Sequence, residues 1–229
     1  MTQTRSIHHP PQGQQAQQIE DAARLLRNVL TNALLQAGLG GGSDQPALRV
    51  ARATVATAPA QMAAELAADD AATREQITAS YEHCLVSYRA LEPTRGEPDV
   101  DDVGLAMAFF VAINLRVLHG VDADADMLRS LEQQLRGVTR TRSNWDAASI
   151  EERQSFFERT AIASVVMSAS AAGAAARGPE GVANVQRAAR QYLEQMLGMN
   201  PDCMTLGPSG LTAREPDAAP TPMAAEQTA

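Results

Sequence analysis

The sequence predicts an all-α fold: a compact helical bundle of about five to seven helices with disordered termini. Three observations carry this. Alanine, the best helix former and a poor strand former, recurs throughout. Apolar residues make up 45% of the chain but aromatics only 3%, so the core is built from small and aliphatic side chains. Those apolar residues recur every three or four positions, in segments separated by glycine or proline.

Residues 1–17 are polar and Gln/Pro-rich, and read as a disordered start. Residues 18–43 read as an amphipathic helix and a glycine-rich hinge. Ile19, Ala22, Leu26, Val29, Ala33 and Ala37 share one face, and Gly38 to Ser43 breaks the helix. Residues 44–211 read as the helical bundle domain, and residues 212–229, rich in Pro, Ala, Thr and Glu, as a disordered tail. Within the bundle, residues 44–58 read as a linker that turns helical after Pro59.

Asp70 is the expected N-cap of a helix carrying Ile77, Tyr81, Cys84, Leu85, Tyr88 and Leu91, with Pro93 as its stop. An acidic stretch, Glu97 to Asp102, leads into the segment Leu105 to Ile113. That segment is apolar all round, which marks it as the middle of the bundle, and Gly120 closes it. Leu128, Leu131, Leu135 and Val138 mark a shorter amphipathic helix. Ser149 and Glu152 form a capping box that opens a long helix through Phe156, Phe157, Ile162, Val165 and Val166. Its end, Ser168 to Ala176, is made of small residues that admit a close neighbour. Gly178 and Pro179 restart the chain, and Val182, Val185, Ala189, Tyr192, Met196 and Leu197 line the last helix up to Gly198. The half-apolar segment Met204 to Leu211 is expected to fold back as a clip.

Three stretches carry a resemblance. They are Asp101-Asp-Val-Gly-Leu-Ala-Met-Ala-Phe-Phe-Val-Ala, Trp145-Asp-Ala-Ala-Ser-Ile-Glu-Glu-Arg-Gln, and Ala189-Arg-Gln-Tyr-Leu-Glu-Gln-Met-Leu followed by Gly210-Leu211. In these the chain resembles a family of uncharacterised proteobacterial helical proteins, a domain of unknown function, over about residues 60–211. The resemblance implies a helical fold and supplies no site. Members often carry a signal peptide, which this sequence does not show.

Composition excludes several chemistries. All 19 Lys+Arg residues are arginine, so no lysine is available for a P-loop, a Schiff base or a Ser-x-x-Lys acylase. The net charge of −8 and scattered arginines argue against nucleic acid as a partner. Arg136, Arg140 and Arg142 come nearest to a basic patch and read as a solvated loop after a helix. No apolar run reaches the length of a membrane span. The start shows no apolar secretory core, so the chain reads as cytoplasmic, with export by a non-cleaved signal left open.

No catalytic, metal or cofactor site is predicted, and any binding site is left unassigned. Asp122, Asp124 and Asp126 have the spacing of the first calcium ligands of an EF-hand. Met127 and Gln133 stand where glycine and glutamate are required, so the acids read as helix N-terminal charges. His8, His9, His83 and His119 lack zinc-site spacing. Gly207 to Gly210 is not a nucleophile elbow, and Gly38 to Gly42 ends a helix where a dinucleotide loop would begin one. The pairs Asp101/Asp102 and Glu151/Glu152 read as stabilisers of helix dipoles, and Asn114 as a buried interhelical hydrogen-bonding residue. Cys84 and Cys203 read as two free thiols, one of them buried, with a disulfide left open if the chain meets an oxidising compartment and the fold brings them together.

The functional expectation is a non-enzymatic interaction or scaffold protein of bacterial origin, forming a homodimer or docking a protein partner through residues 18–37. Two alternatives stand beside it. One is an exported or host-directed effector, for which the missing lysine would remove the attachment site for ubiquitin, although a GC-rich genome explains the same absence. The other is a small-ligand-binding helical protein or enzyme whose site is spread over the sequence.

Overall fold

The structure, a computed structural model, describes residues 48–91, 99–142 and 145–213. The expected disordered start, the helix at 18–37, its glycine hinge, Pro93 and residues 214–229 lie outside the described residues. The fold is all-α, with two short strand pairs added. In chain order it comprises β1 (Arg49–Ala51), α1 (Ala58–Leu66), α2 (Ala71–Leu91), β2 (Val100–Asp102), α3 (Val103–His119), α4 (Ala125–Arg142), α5 (Ile150–Ala174), α6 (Gly178–Leu197), β3 (Met204–Gly207) and β4 (Gly210–Ala213).

Helix α3 is the axis of the bundle, as its all-round apolar sequence requires, and packs against α4, α5 and α6. Val103, Ala106, Met107, Ala108, Phe110 and Val111 are fully buried on it. Burial of a side chain the size of Phe110 or Phe157 contributes about 1.5–3 kcal/mol. Alanines at 106 and 108 let the neighbouring helices come close, which is how a core with few aromatics still fills. Helices α1, α2 and α5 form a second layer, and α6 returns along α5. Phe110 meets Tyr192 of α6 edge-to-face at 5.5 Å.

The capping signals act where the sequence places them. Asp70 accepts from the Thr73 N–H at 3.0 Å and from its hydroxyl at 2.5 Å, and the hydroxyl is the main reason its carboxyl sits below the usual range. Ser149 and Glu152 form the reciprocal box at the start of α5. Gly120 and Gly198 end α3 and α6 in the left-handed conformation, with φ of 69° and 68°.

Three expectations need correction. Residues 44–58 contain a strand: β1 pairs antiparallel with β2, Val50 opposite Asp101. The strand forms because Leu48 and Val50 are buried while Arg49 and Ala51 face out, a period of two that three residues barely reveal. Helix α4 is longer than its apolar positions suggested and runs through Arg142, so Arg136, Arg140 and Arg142 are helical and do not belong to a loop. The C-terminal clip is a β-hairpin, with Leu206 opposite Leu211, and β4 reaches Ala213, two residues into the segment read as tail.

Candidate functional site

The most concentrated polar chemistry in the bundle centres on Asp101. The pleat of β2 turns Asp101 inward beside Val50, and the carboxylate is fully buried. Its Oδ1 accepts from Arg52 Nε at 3.0 Å and from Arg89 Nε at 3.2 Å. Its Oδ2 accepts from Arg89 Nη2 at 2.7 Å and from Gln154 Nε2 at 3.0 Å. Arg89 is therefore bidentate, the geometry in which a guanidinium binds a carboxylate best. The same guanidinium lies over the Phe157 ring, 5.7 Å from its centroid. Tyr88 closes this wall edge-to-face, 5.8 Å from Phe157 and 5.9 Å from Phe109.

A second buried carboxylate, Glu158, adjoins the first. Its Oε1 accepts from Gln154 Nε2 at 3.1 Å. Its Oε2 accepts from the backbone N–H groups of Thr57 at 3.0 Å and Ala58 at 2.9 Å. These are unpaired donors at the start of α1, where the helix dipole favours negative charge. Thr57 makes no side-chain cap of its own, so Glu158 serves as the cap from a helix one hundred residues away. Both hydrogens of the Gln154 amide are used, one on each carboxylate, while its Oε1 has no partner among the described residues. Asp101 thus faces two guanidinium groups, Arg52 and Arg89, while Glu158 is held by the Gln154 amide and two backbone N–H groups at a helix start. Ion pairing at the first carboxylate and hydrogen bonds at a helix N-terminus at the second make the buried charge tolerable.

A third carboxylate group lies on the other side of β2. Arg136 of α4 bridges Asp102 and Glu132, with its side chain 8% exposed and that of Glu132 2%. Asp102 also caps α3, accepting from the Leu105 N–H at 3.2 Å. Gly104 is required here: a Cβ would stand 2.6 Å from Cγ and Nε of Arg136. Chemically, both groups act as electrostatic joints. Asp101 ties the β1–α1 loop, α2 and α5 to β2, and Asp102 ties α4 to the start of α3.

A family profile described as "Family of unknown function (DUF6683)" matches residues 6–214. The chain belongs to this family. The DUF6683 match runs past the 60–211 resemblance at both ends and takes in the segment 18–37 as well as every member of the two charge clusters. No curated protein and no solved structure matches the chain.

Several residues singled out in the sequence of this DUF6683 member take different roles. Asp101 does not act on a helix dipole but is the buried hub; Asp102 does cap a helix. Asn114 is fully buried, yet its bond is within its own helix, from Nδ2 to the Phe110 carbonyl at 2.7 Å, and not between helices. A four-residue backward reach along α3 satisfies the amide without a neighbour. Its Oδ1 has no partner among the described residues. Arg136 is buried, correcting its reading as a solvated residue.

The three aspartates with EF-hand spacing are separately engaged. Asp122 pairs with Arg116, Asp126 pairs with Arg129, and Asp124 accepts from the N–H groups of Asp126 and Met127 at the start of α4. Among the described residues no three His, Cys, Asp or Glu side chains come together as a metal site. His83 is exposed on α2, His119 contacts the Pro201 carbonyl at 3.1 Å, and His8 and His9 lie outside the described residues. Cys84 is half-buried and Cys203 exposed, and both thiols are free. Burial pushes the Cys84 thiol above its ordinary pKa. No described helix is long and apolar enough to cross a membrane.

Sequence reasoning missed Arg52, Arg89, Glu132, Gln154 and Glu158. For two of them a signal existed. Gln154, Phe157, Glu158 and Ala161 share one helical face, so polar groups sit inside an apolar stripe. The partners lie some fifty to one hundred positions away, and no local pattern points to them.

Proposed function

We propose that this protein is a non-enzymatic interaction or scaffold protein of bacterial origin, in which the bundle is a rigid platform for an N-terminal arm, residues 18–37. The arm associates with a second copy of the chain or with a protein partner. The observation that carries this reading is the use made of the buried charges: the oxygens of Asp101 and Glu158 are engaged by donors that join separate segments. Such a network supplies rigidity and a defined geometry, the properties a platform needs. The amphipathic pattern of residues 18–37 supplies a face for helix-to-helix docking.

The test is deletion of residues 1–43. Circular dichroism should keep the helical signal of the bundle, while light scattering should report a mass per particle falling from dimer to monomer. An unchanged oligomeric mass removes the dimerising arm.

A small-ligand reading rests on the Oδ1 of buried Asn114, which has no partner among the described residues. A thermal-shift screen against small hydrogen-bond donors, repeated on Asn114→Leu, tests it. Stabilisation of the wild type alone favours a ligand at this residue.

A further inference from the structure

We propose that residues 48–66 form a strap that opens as a unit, and that Glu158 is its latch. Leu48, Val50, Ala58, Met62 and Ala63 are the strap's buried anchors. Its backbone joins the rest of the protein through the β1–β2 ladder, the bond from the Val103 N–H to the Leu48 carbonyl and the bond from the Arg52 N–H to the Asp99 carbonyl. Its side-chain ties include Arg52 on Asp101 and the exposed contacts of Glu65 and Gln61 with Arg159, and α1 packs on α2.

Helix α1 cannot hold itself. It has nine residues, where isolated helices shorter than about 12–15 residues are marginal in water. Its N-terminus has no side-chain cap of its own, and two of its free N–H groups, those of Thr57 and Ala58, point to Glu158. Loss of that carboxylate leaves α1 without its cap, and β1 is only a three-residue pairing. Neither piece persists without the other, so the strap opens together or not at all. The strap is also the covalent route from residues 1–47 into the bundle, so its opening lengthens the tether of the arm.

This proposal rests on the arm reading for its purpose, but its test does not. Native-state hydrogen exchange on the full chain should find the amides of residues 50–66 opening as one group, faster than those of α3 and the C-terminal half of α5. Glu158→Gln keeps the side-chain volume. Its amide group, however, brings an N–H₂ face to face with the donor of Gln154 or with the α1 N-terminus. It should speed exchange in residues 50–66 by about tenfold or more, with α6 and the β3–β4 hairpin unchanged. Wild-type strap amides as protected as those of α3, or an acceleration spread evenly over the bundle, overturns the latch. A monomer by scattering whose strap opens removes the dimerising arm alone; a dimer with uniform exchange removes the latch alone.

Discussion

Gln134 grips Leu211 with both ends of its amide: Nε2 donates to the Leu211 carbonyl at 3.0 Å, and Oε1 accepts the Leu211 N–H at 2.7 Å. The side chain thereby stands in for a neighbouring strand and fixes the C-terminal hairpin to α4. Gly210 makes room for it, with φ of +89° and no Cβ to strike the amide oxygen. Gln134→Ala should cost about 1–3 kcal/mol for each buried backbone group left unpaired, read from the urea midpoint. Gly210→Ala should also destabilise, and the two should combine non-additively in a double-mutant cycle, because removing Gln134 removes the clash.

Asp101→Asn should be among the most damaging single changes. It leaves Arg52 and Arg89 facing a neutral amide, one end of which is a donor. Breaking a buried pair from one side costs about 3–5 kcal/mol. Arg52→Ala should cost clearly less, because the Arg52 side chain is 31% exposed and water takes over part of its role. Equal losses for the two would contradict a hub at Asp101.

Gly104→Ala tests the close approach of Arg136. The added methyl forces the guanidinium off Asp102 and Glu132, at a cost of about 1–3 kcal/mol for overpacking. On a helix surface the same change would stabilise, so the sign of the shift in melting temperature decides.

Burial of Tyr81 raises its phenol to about 12, with further contributions from Cys84 and Glu65. Burial also raises Tyr192, and nearby Tyr81 adds to the shift. A raised phenol holds its proton longer in the folded state than in the unfolded one. Stability from Tyr81 is therefore intact below about pH 10 and is lost as pH climbs from there toward about 12. Urea melts between pH 9 and pH 12 should show that fall, and Tyr81→Phe should reduce it, with Tyr192 accounting for the remainder. A wild-type curve that stays level across the interval would exclude raised phenols in the folded state.

The two thiols should label at different rates. Cys203 is exposed, whereas Cys84 is half-buried with its thiol raised, so less thiolate is present at neutral pH. Mass spectrometry after brief maleimide treatment should find Cys203 modified several-fold ahead of Cys84.

What the sequence made legible was whatever its neighbours determine. Ser149 and Glu152, Asp70, Gly120 and Gly198 cap or end helices through contacts three or four residues away, and α3 announces its central place by being apolar on every side. Strand β1 escaped because three residues carry too little alternation to stand out. Asp101 was misread because its position, just before a helix, has an ordinary local explanation. Its inward role rests on Val50 opposite it and on Arg52, Arg89 and Gln154, which lie twelve to fifty-three positions away. Asn114 was correctly placed in the core, but its partner lies one turn back, a choice that the residue type leaves open.

The capping of α1 by Glu158 also sets an order of events during synthesis. Thr57 and Ala58 leave the ribosome about one hundred residues ahead of the side chain that completes their helix. At about 5–20 residues per second, that separation amounts to roughly 5–20 s. Through that interval β1 can already meet β2 and the first helix can meet α2, but the N–H groups that start that helix wait for α5, so its final capping comes late.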